Sequence, residues 1–278
     1  MSDYKGKRVY ITGGSSGIGR SMALQLVGEG AHVFISARGQ QRIDDTLEEM
    51  RAVAGPGQRL GGMSVDVSDH DAVQAAAPKV LEALGGLDIL INNAGVAYVT
   101  QIEGATPDEY RRMMDINYFG TTWTTLSFLP HFQAQRSGTI AAVSSTLGMM
   151  GLYGYSAYAA SKFAITGFMD CLRQDMLKYG VQVSVLFPAD TDTPQLAEEN
   201  KIKPAETKAL AGNVTMATPE YVSKVFLSKL AAGRYHIAPG FENAFVLWAH
   251  HKVPWLVRWV IDRDLRKFWR KSEAVAAT

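Results

Sequence analysis

The stretch Thr12-Gly13-Gly14-Ser15-Ser16-Gly17-Ile18-Gly19 lies between a short apolar run, Arg8-Val9-Tyr10-Ile11, and a helical pattern from Arg20 to Glu29. Strand, glycine turn and helix, in that order, form the opening unit of a dinucleotide-binding sheet. The glycines permit a tight turn and a close backbone approach. The helix N-terminus offers unpaired N–H groups to a pyrophosphate. The spacing is Gly-x-x-x-Gly-x-Gly, which differs from the general Gly-x-Gly-x-x-Gly fingerprint.

The same alternation continues downstream. Apolar runs predict strands near 8–12, 32–37, 60–66, 88–92, 139–145 and 182–187, with a short seventh near 235–238. Helical patterns fall between them, near 17–29, 40–54, 69–84, 107–134, 156–179 and 219–232. This rhythm predicts a parallel sheet with helices on both faces, a Rossmann-type doubly wound α/β fold. Pro107 followed by Asp108-Glu109 suits a helix start, because proline fits the first turn and acids oppose the dipole. No linker divides the chain, so residues 1–240 are expected to form one catalytic domain. Two regions break the rhythm. Residues 189–219 are polar, hold Pro194, Pro204 and Pro219, and read as a long functional loop. Residues 241–278 carry four of the five tryptophans, Trp248, Trp255, Trp259 and Trp269, and read as a helical tail.

The chain has 278 residues, 47% of them hydrophobic, enough for one substantial core. A net charge of +1 gives no bulk electrostatic case for nucleic acid. The single cysteine, Cys171, excludes an intrachain disulfide and suits a reducing compartment. It is expected to be a small buried apolar residue in its helix. Residues Met1 to Lys7 are polar and lack the apolar core of a signal peptide. The six histidines show no metal-ligand spacing, and no metal site is read.

Tyr158 and Lys162 stand four apart in Ser156-Ala157-Tyr158-Ala159-Ala160-Ser161-Lys162, which places both on one helix face. An ammonium beside a phenol favours the phenolate, so the Tyr158 pKa is expected below its usual value of about 10. Ser145 follows the strand pattern Thr139-Ile140-Ala141-Ala142-Val143. Alone, such a pair is most often a solvated helix face. The glycine turn upstream changes its meaning.

Further motifs follow in order: Asp66-Val67 after the third strand, Asn92-Asn93-Ala94-Gly95 after the fourth, and Asn117 in Asn117-Tyr118-Phe119-Gly120. Together they resemble the short-chain dehydrogenase/reductase family over roughly residues 5 to 235. Where that family usually has Pro-Gly, this chain has Pro188-Ala189, while Thr193 is retained. The resemblance implies that Tyr158 protonates a ketone oxygen and that Ser145 hydrogen-bonds the same oxygen. It implies that Lys162 lowers the tyrosine pKa and holds the nicotinamide ribose, and that Asn117 holds a water at the lysine. It also implies cofactor contacts from Gly13, Ser15, Ser16, Gly17, Ile18, Gly19, Arg38, Asp66, Val67, Asn93, Ala94, Gly95, Tyr158, Lys162, Pro188, Thr191 and Thr193. A homo-oligomer is expected.

The second strand pattern ends in Ala37-Arg38. An acid here would bond a ribose 2′-hydroxyl, whereas an arginine accommodates a 2′-phosphate. Ala37 and Arg38 therefore predict NADPH/NADP+ rather than NAD. The run from Phe187 to Lys208 resembles the 3-ketodihydrosphingosine reductase branch of the family. That resemblance implies NADPH-dependent reduction of a long-chain amino ketone, 3-dehydrosphinganine, to sphinganine. Asp190, Asp192, Glu198 and Glu199 are candidates to hold the substrate ammonium, and each could equally be a solvated loop charge. Two other readings stay open: a reductase of a steroid, retinoid or other lipophilic ketone, and a non-catalytic NADPH sensor. In the tail, Val253, Leu256, Val257, Val260 and Ile261 recur at helical spacing beside Trp255 and Trp259, and a basic end follows. This pattern predicts an interfacial helix, with the protein cytoplasmic and peripheral on a membrane. The alternative is packing on its own domain or in a dimer.

Overall fold

The structure is a computed structural model that describes residues 3–211 and 216–276. Among the described residues there are seven strands: β1 (Arg8–Thr12), β2 (His32–Ala37), β3 (Leu60–Ser64), β4 (Ile89–Asn92), β5 (Thr139–Val143), β6 (Gln182–Leu186) and β7 (His236–Ile237). All pair in parallel, in the order β3-β2-β1-β4-β5-β6-β7. The order reverses beside β1, which pairs with β2 on one side and β4 on the other. A crevice at such a reversal, above the carboxyl ends of the strands, is where this architecture takes its ligand.

The helices are α1 (Gly17–Gly28), α2 (Gln40–Val53), α3 (His70–Leu84), α4 (Pro107–Met113), α5 (Gly120–Gln135), α6 (Ser156–Met176), α7 (Pro194–Ile202), α8 (Ala205–Ala211), α9 (Pro219–Ala231), α10 (Phe241–Lys252) and α11 (Pro254–Ala276). Successive strand residues face opposite sides. Val9 and Ile11 join a core with Met22 and Leu26 of α1, while Tyr10 joins the opposite core with Phe128 of α5 and Ile165 of α6. Both faces of the sheet are therefore covered, as near-continuous apolar strands require.

The structure departs from the sequence expectations at several points. The segment expected as one helix near 107–134 is interrupted by a π-helical turn at Met114–Phe119. Such turns often sit at functional sites, and this one carries the buried Asn117. The expected loop at 189–219 contains α7 and α8. Thr193 caps α7 through its hydroxyl and Pro194 opens it, so the dipeptide is a helix start within a polar stretch. Cys171 is exposed rather than buried. The buried stripe of α6 runs through Ile165, Met169, Leu172 and Met176, and Cys171 lies off it.

Candidate active site

The glycine turn is locked by its neighbours. Gly13 has φ +66°, and a Cβ there would meet Ala94 Cα at 2.8 Å. At Gly19 a Cβ would meet both Asn93 Nδ2 and the Gly13 carbonyl, so both positions exclude a side chain. Asn93 donates its Nδ2 protons to the Thr12 and Gly13 carbonyls, each at 3.0 Å. The Thr12 hydroxyl accepts from the Asn93 and Ala94 N–H groups at 3.1 Å. The turn after β4 thus props the turn after β1. Ser16 precedes α1 in extended conformation, and its side chain does not cap the helix. Uncapped N–H groups over a cradle too tight for side chains fit a pyrophosphate. Gly17 faces the Thr193 methyl group, so the same turn touches the start of α7.

Arg38 follows β2 directly, is exposed, and forms no ion pair among the described residues. Its carbonyl accepts a hydrogen bond from Ser64 at 2.9 Å. Asp66 lies just beyond β3. Partial burial raises its carboxyl, but hydrogen bonds from Ser68 and the charge of Arg38 outweigh it and hold the pKa low. Val67 is buried against Gly120, at the start of α5. The residues fit an adenosine pocket with a free guanidinium at its rim.

Tyr158 and Lys162 lie on the buried face of α6, and Ser145 stands past the end of β5. Lys162 Nζ sits 5.6 Å from the Tyr158 ring centroid and donates to the Val143 carbonyl at 3.0 Å. Gly95 leaves room for this: a Cβ there would come within 3.4 Å of Nζ. Ser145 Oγ accepts from the Leu147 N–H at 3.2 Å. The expected low tyrosine pKa is not found. Burial raises the Tyr158 pKa, the nearby Ser145 hydroxyl opposes this, and the carboxylates of Glu199 and Asp190 raise it further. Burial also pushes the Lys162 ammonium down to about 8, against the field of Glu199. Desolvation outweighs the cation in this state of the site.

Asn117 is fully engaged within the protein. Its Oδ1 accepts from the Val96 N–H at 2.8 Å. Its Nδ2 lies 2.9 Å from both the Val96 carbonyl and the Ser161 hydroxyl. It pins the segment after Gly95 to α6, one residue away from Lys162. Pro188 is buried, and its carbonyl accepts from the Thr146 N–H at 3.0 Å, tying the β6 loop to the Ser145 turn. Thr191 is buried, bonds the Ala189 carbonyl at 2.9 Å and bridges to Ala217.

Three side chains contribute that sequence reasoning passed over. Asn243 of α10 donates to the Phe187 carbonyl at 2.7 Å, and its Oδ1 lies 3.0 Å from the Thr146 hydroxyl. Its only signal is a polar residue four before Leu247, the two sharing one buried face. Tyr155 lies tilted against Tyr158, 5.8 Å centroid to centroid, and its hydroxyl donates to Glu199 at 3.2 Å. Lys203, 6% exposed, pairs with Asp190 at 3.5 Å and lies 5.9 Å from the Tyr155 ring centroid. Of the four candidate acids, the structure buries Glu199 and leaves Asp190, Asp192 and Glu198 exposed.

The sequence profile of the short chain dehydrogenases matches residues 7–204. The chain belongs to that family. Among curated relatives it is 36% identical over 232 residues to the 3-dehydrosphinganine reductase of Danio rerio, covering 83% of this chain and 70% of that one. It is 35% identical over 240 residues to the 3-ketodihydrosphingosine reductase of Mus musculus, covering 86% and 72%. It is 36% identical over 183 residues to the dehydrogenase/reductase SDR family member 7B of Bos taurus, covering 65% and 56%. The fold is shared with a short chain dehydrogenase/reductase from Burkholderia phymatum, solved in complex with NAD, at a TM-score of 0.81 and 24% identity over 92% of this chain and 96% of that one. As a short chain dehydrogenase, the protein is an oxidoreductase, and its glycine turn suits the nicotinamide dinucleotide of the family.

Proposed function

We propose that the protein reduces 3-dehydrosphinganine to sphinganine with NADPH. The observation that carries this reading is a buried Tyr158 beside Lys162, with Ser145 past the end of β5 and Glu199 of α7 held by the neighbouring Tyr155. The names of the relatives from Danio rerio and Mus musculus support the substrate. Reduction needs a proton donor, and burial keeps the proton on Tyr158 until negative charge grows on a ketone oxygen within its reach. Ser145 would orient that oxygen and stabilise its charge. Lys162 would hold the nicotinamide ribose, and Asn117 keeps the wall above it fixed. A bound cofactor would supply the hydride. Arg38 would meet the 2′-phosphate, which favours NADPH over NADH.

The tail supports a membrane-facing enzyme. Among the described residues no helix is long and apolar enough to cross a membrane. The α11 residues Val257, Val260 and Ile261 are half-buried, and Trp269 reaches Glu206 of α8 at 3.4 Å. The other side exposes Trp255 and Trp259, and on α10 Phe241, Phe245 and Trp248 form an exposed stacked row. Arg263, Arg266, Lys267, Arg270 and Lys271 line the distal part of α11. Aromatic rings flanked by cations suit the cytoplasmic face of an anionic bilayer. Exposed Phe119, Leu126 and Phe163 near the α5–α6 surface support a homo-oligomer.

The test is turnover by purified protein with NADPH or NADH and a panel of 3-dehydrosphinganine, steroid ketones and retinoid carbonyls. The expected result is NADPH oxidation that is fastest with 3-dehydrosphinganine. Preference for a cyclic ketone would refute the substrate, and tight NADPH binding without turnover of any ketone would refute an enzyme.

A further inference from the structure

In the proposed substrate the amine sits on the carbon next to the ketone. Its nitrogen therefore stays roughly 3 Å from the ketone oxygen, as in the N–Cα–C=O unit of a backbone. Whatever receives that ammonium must lie beside Tyr158. Three of the four acids in the α7 region are exposed, and two of these are already paired. Asp192 is exposed. Glu198 is exposed and pairs with Lys201 at 2.5 Å. Asp190 is half-exposed and already pairs with Lys203 at 3.5 Å.

Glu199 differs on each count. It is 8% exposed. It forms no ion pair among the described residues, and its two oxygens each accept one hydrogen bond from a neutral donor, Tyr155 at 3.2 Å and Gln195 at 3.0 Å. A carboxylate has about four acceptor positions, so two remain. Tyr155, its donor, packs directly on the Tyr158 ring. We infer that Glu199 receives the substrate ammonium and thereby makes this site select an α-amino ketone over a plain ketone; the inference rests on the function proposed above. Lys203 complements this arrangement: it pairs with Asp190, and its charge reaches Glu199 without forming an ion pair there. Burial raises the Glu199 carboxyl pKa, against Gln195, Tyr155 and Lys203, so an arriving cation relieves a standing electrostatic cost. Glu199 is a specificity-determining residue here; the proton still comes from Tyr158.

The experiment compares kcat/KM for 3-dehydrosphinganine with that for the same long-chain hydroxy ketone lacking the amine, using wild type, Glu199→Gln and Tyr155→Phe with NADPH. The wild type should prefer the amino ketone. Glu199→Gln should lower that preference by about 10- to 100-fold, mainly through KM, because a charge-assisted bond becomes a neutral one. Tyr155→Phe should lower it less, in the same direction. NADPH affinity and the thermal midpoint report that each variant is folded. An unchanged ratio in folded Glu199→Gln overturns the inference. So does a wild type that reduces both ketones equally well, an outcome that needs no variant and leaves the long-chain ketone reading standing. Reduction of neither long-chain ketone overturns the function and the inference together.

Discussion

Around the glycine turn the contacts run through backbone, and around α7 they run through side chains. The first wall is made of carbonyls and N–H groups bridged by Thr12 and Asn93, with glycines where a Cβ would collide. The second is made of Tyr155, Glu199, Lys203 and Asp190, gathered from α7 and from segments on either side of it and of α6. A dinucleotide presents the same phosphates to every enzyme that uses it, and backbone donors at a helix end suffice to hold them. A particular ketone has to be recognised by particular side chains. Tyr158, Ser145 and Lys162 stand where the two walls meet.

Four measurements would break or sharpen that contrast. Tyr158→Phe should lower turnover by about 10² to 10⁴ while NADPH affinity stays near wild type, because only a proton donor is removed. Retention of a tenth of the activity would mean that the proton comes from elsewhere. Arg38→Ala should weaken NADPH by roughly 10- to 100-fold and NADH far less, since it removes a charge-assisted contact to one phosphate. Equal losses for both cofactors would place the guanidinium away from the 2′-phosphate.

Lys162→Met should abolish turnover yet stabilise the cofactor-free protein at pH 7 by about 3 kcal/mol, because it removes a buried charge. The sign follows from the lowered pKa. Folding shifts the ammonium from 10.5 to about 8. Below about pH 8 the folded protein bears the full penalty of a buried cation. Between about 8 and 10.5 the unfolded chain binds more protons than the folded one, so the penalty fades as pH rises. The gap in thermal midpoint between variant and wild type should therefore shrink from pH 7 to pH 10; a constant gap would mean that folding does not shift the lysine pKa. The smallest effect is expected at the rim. Replacing Trp255 and Trp259 together by serine should reduce flotation with anionic vesicles by roughly tenfold, through lost apolar burial. Equal flotation at moderate salt would assign the exposed rings to another surface.

The parallel sheet, its strands and most of the helices that cover it are legible in the residues, because both faces of the sheet are buried and the strands read as short apolar runs, whereas the strand order comes from the structure. So are the fragments of the first wall, since a glycine turn between a strand and a helix is a local pattern. The second wall is not. Glu199 looks like its neighbour Glu198 in the sequence, and only the packing of α7 on Tyr155 separates a buried carboxylate from a solvated one. The pairing of Lys203 with Asp190 spans a whole helix and has no periodic signature. The tyrosine pKa is misread for a related reason. A four-residue spacing reports proximity to a cation but says nothing about how much water has been removed.

Asn243 has a consequence for the reductase proposed above, whose substrate would be a lipid. One amide of α10 grips the end of β6 and the turn that carries Ser145. The next turns of the same helix present Phe245 and Trp248 outward. Foothold and hydroxyl therefore belong to one short lever. A bilayer that seized those rings would set the heading of the serine as well as the position of the protein, and substrate leaving the membrane would meet a site already aimed at it.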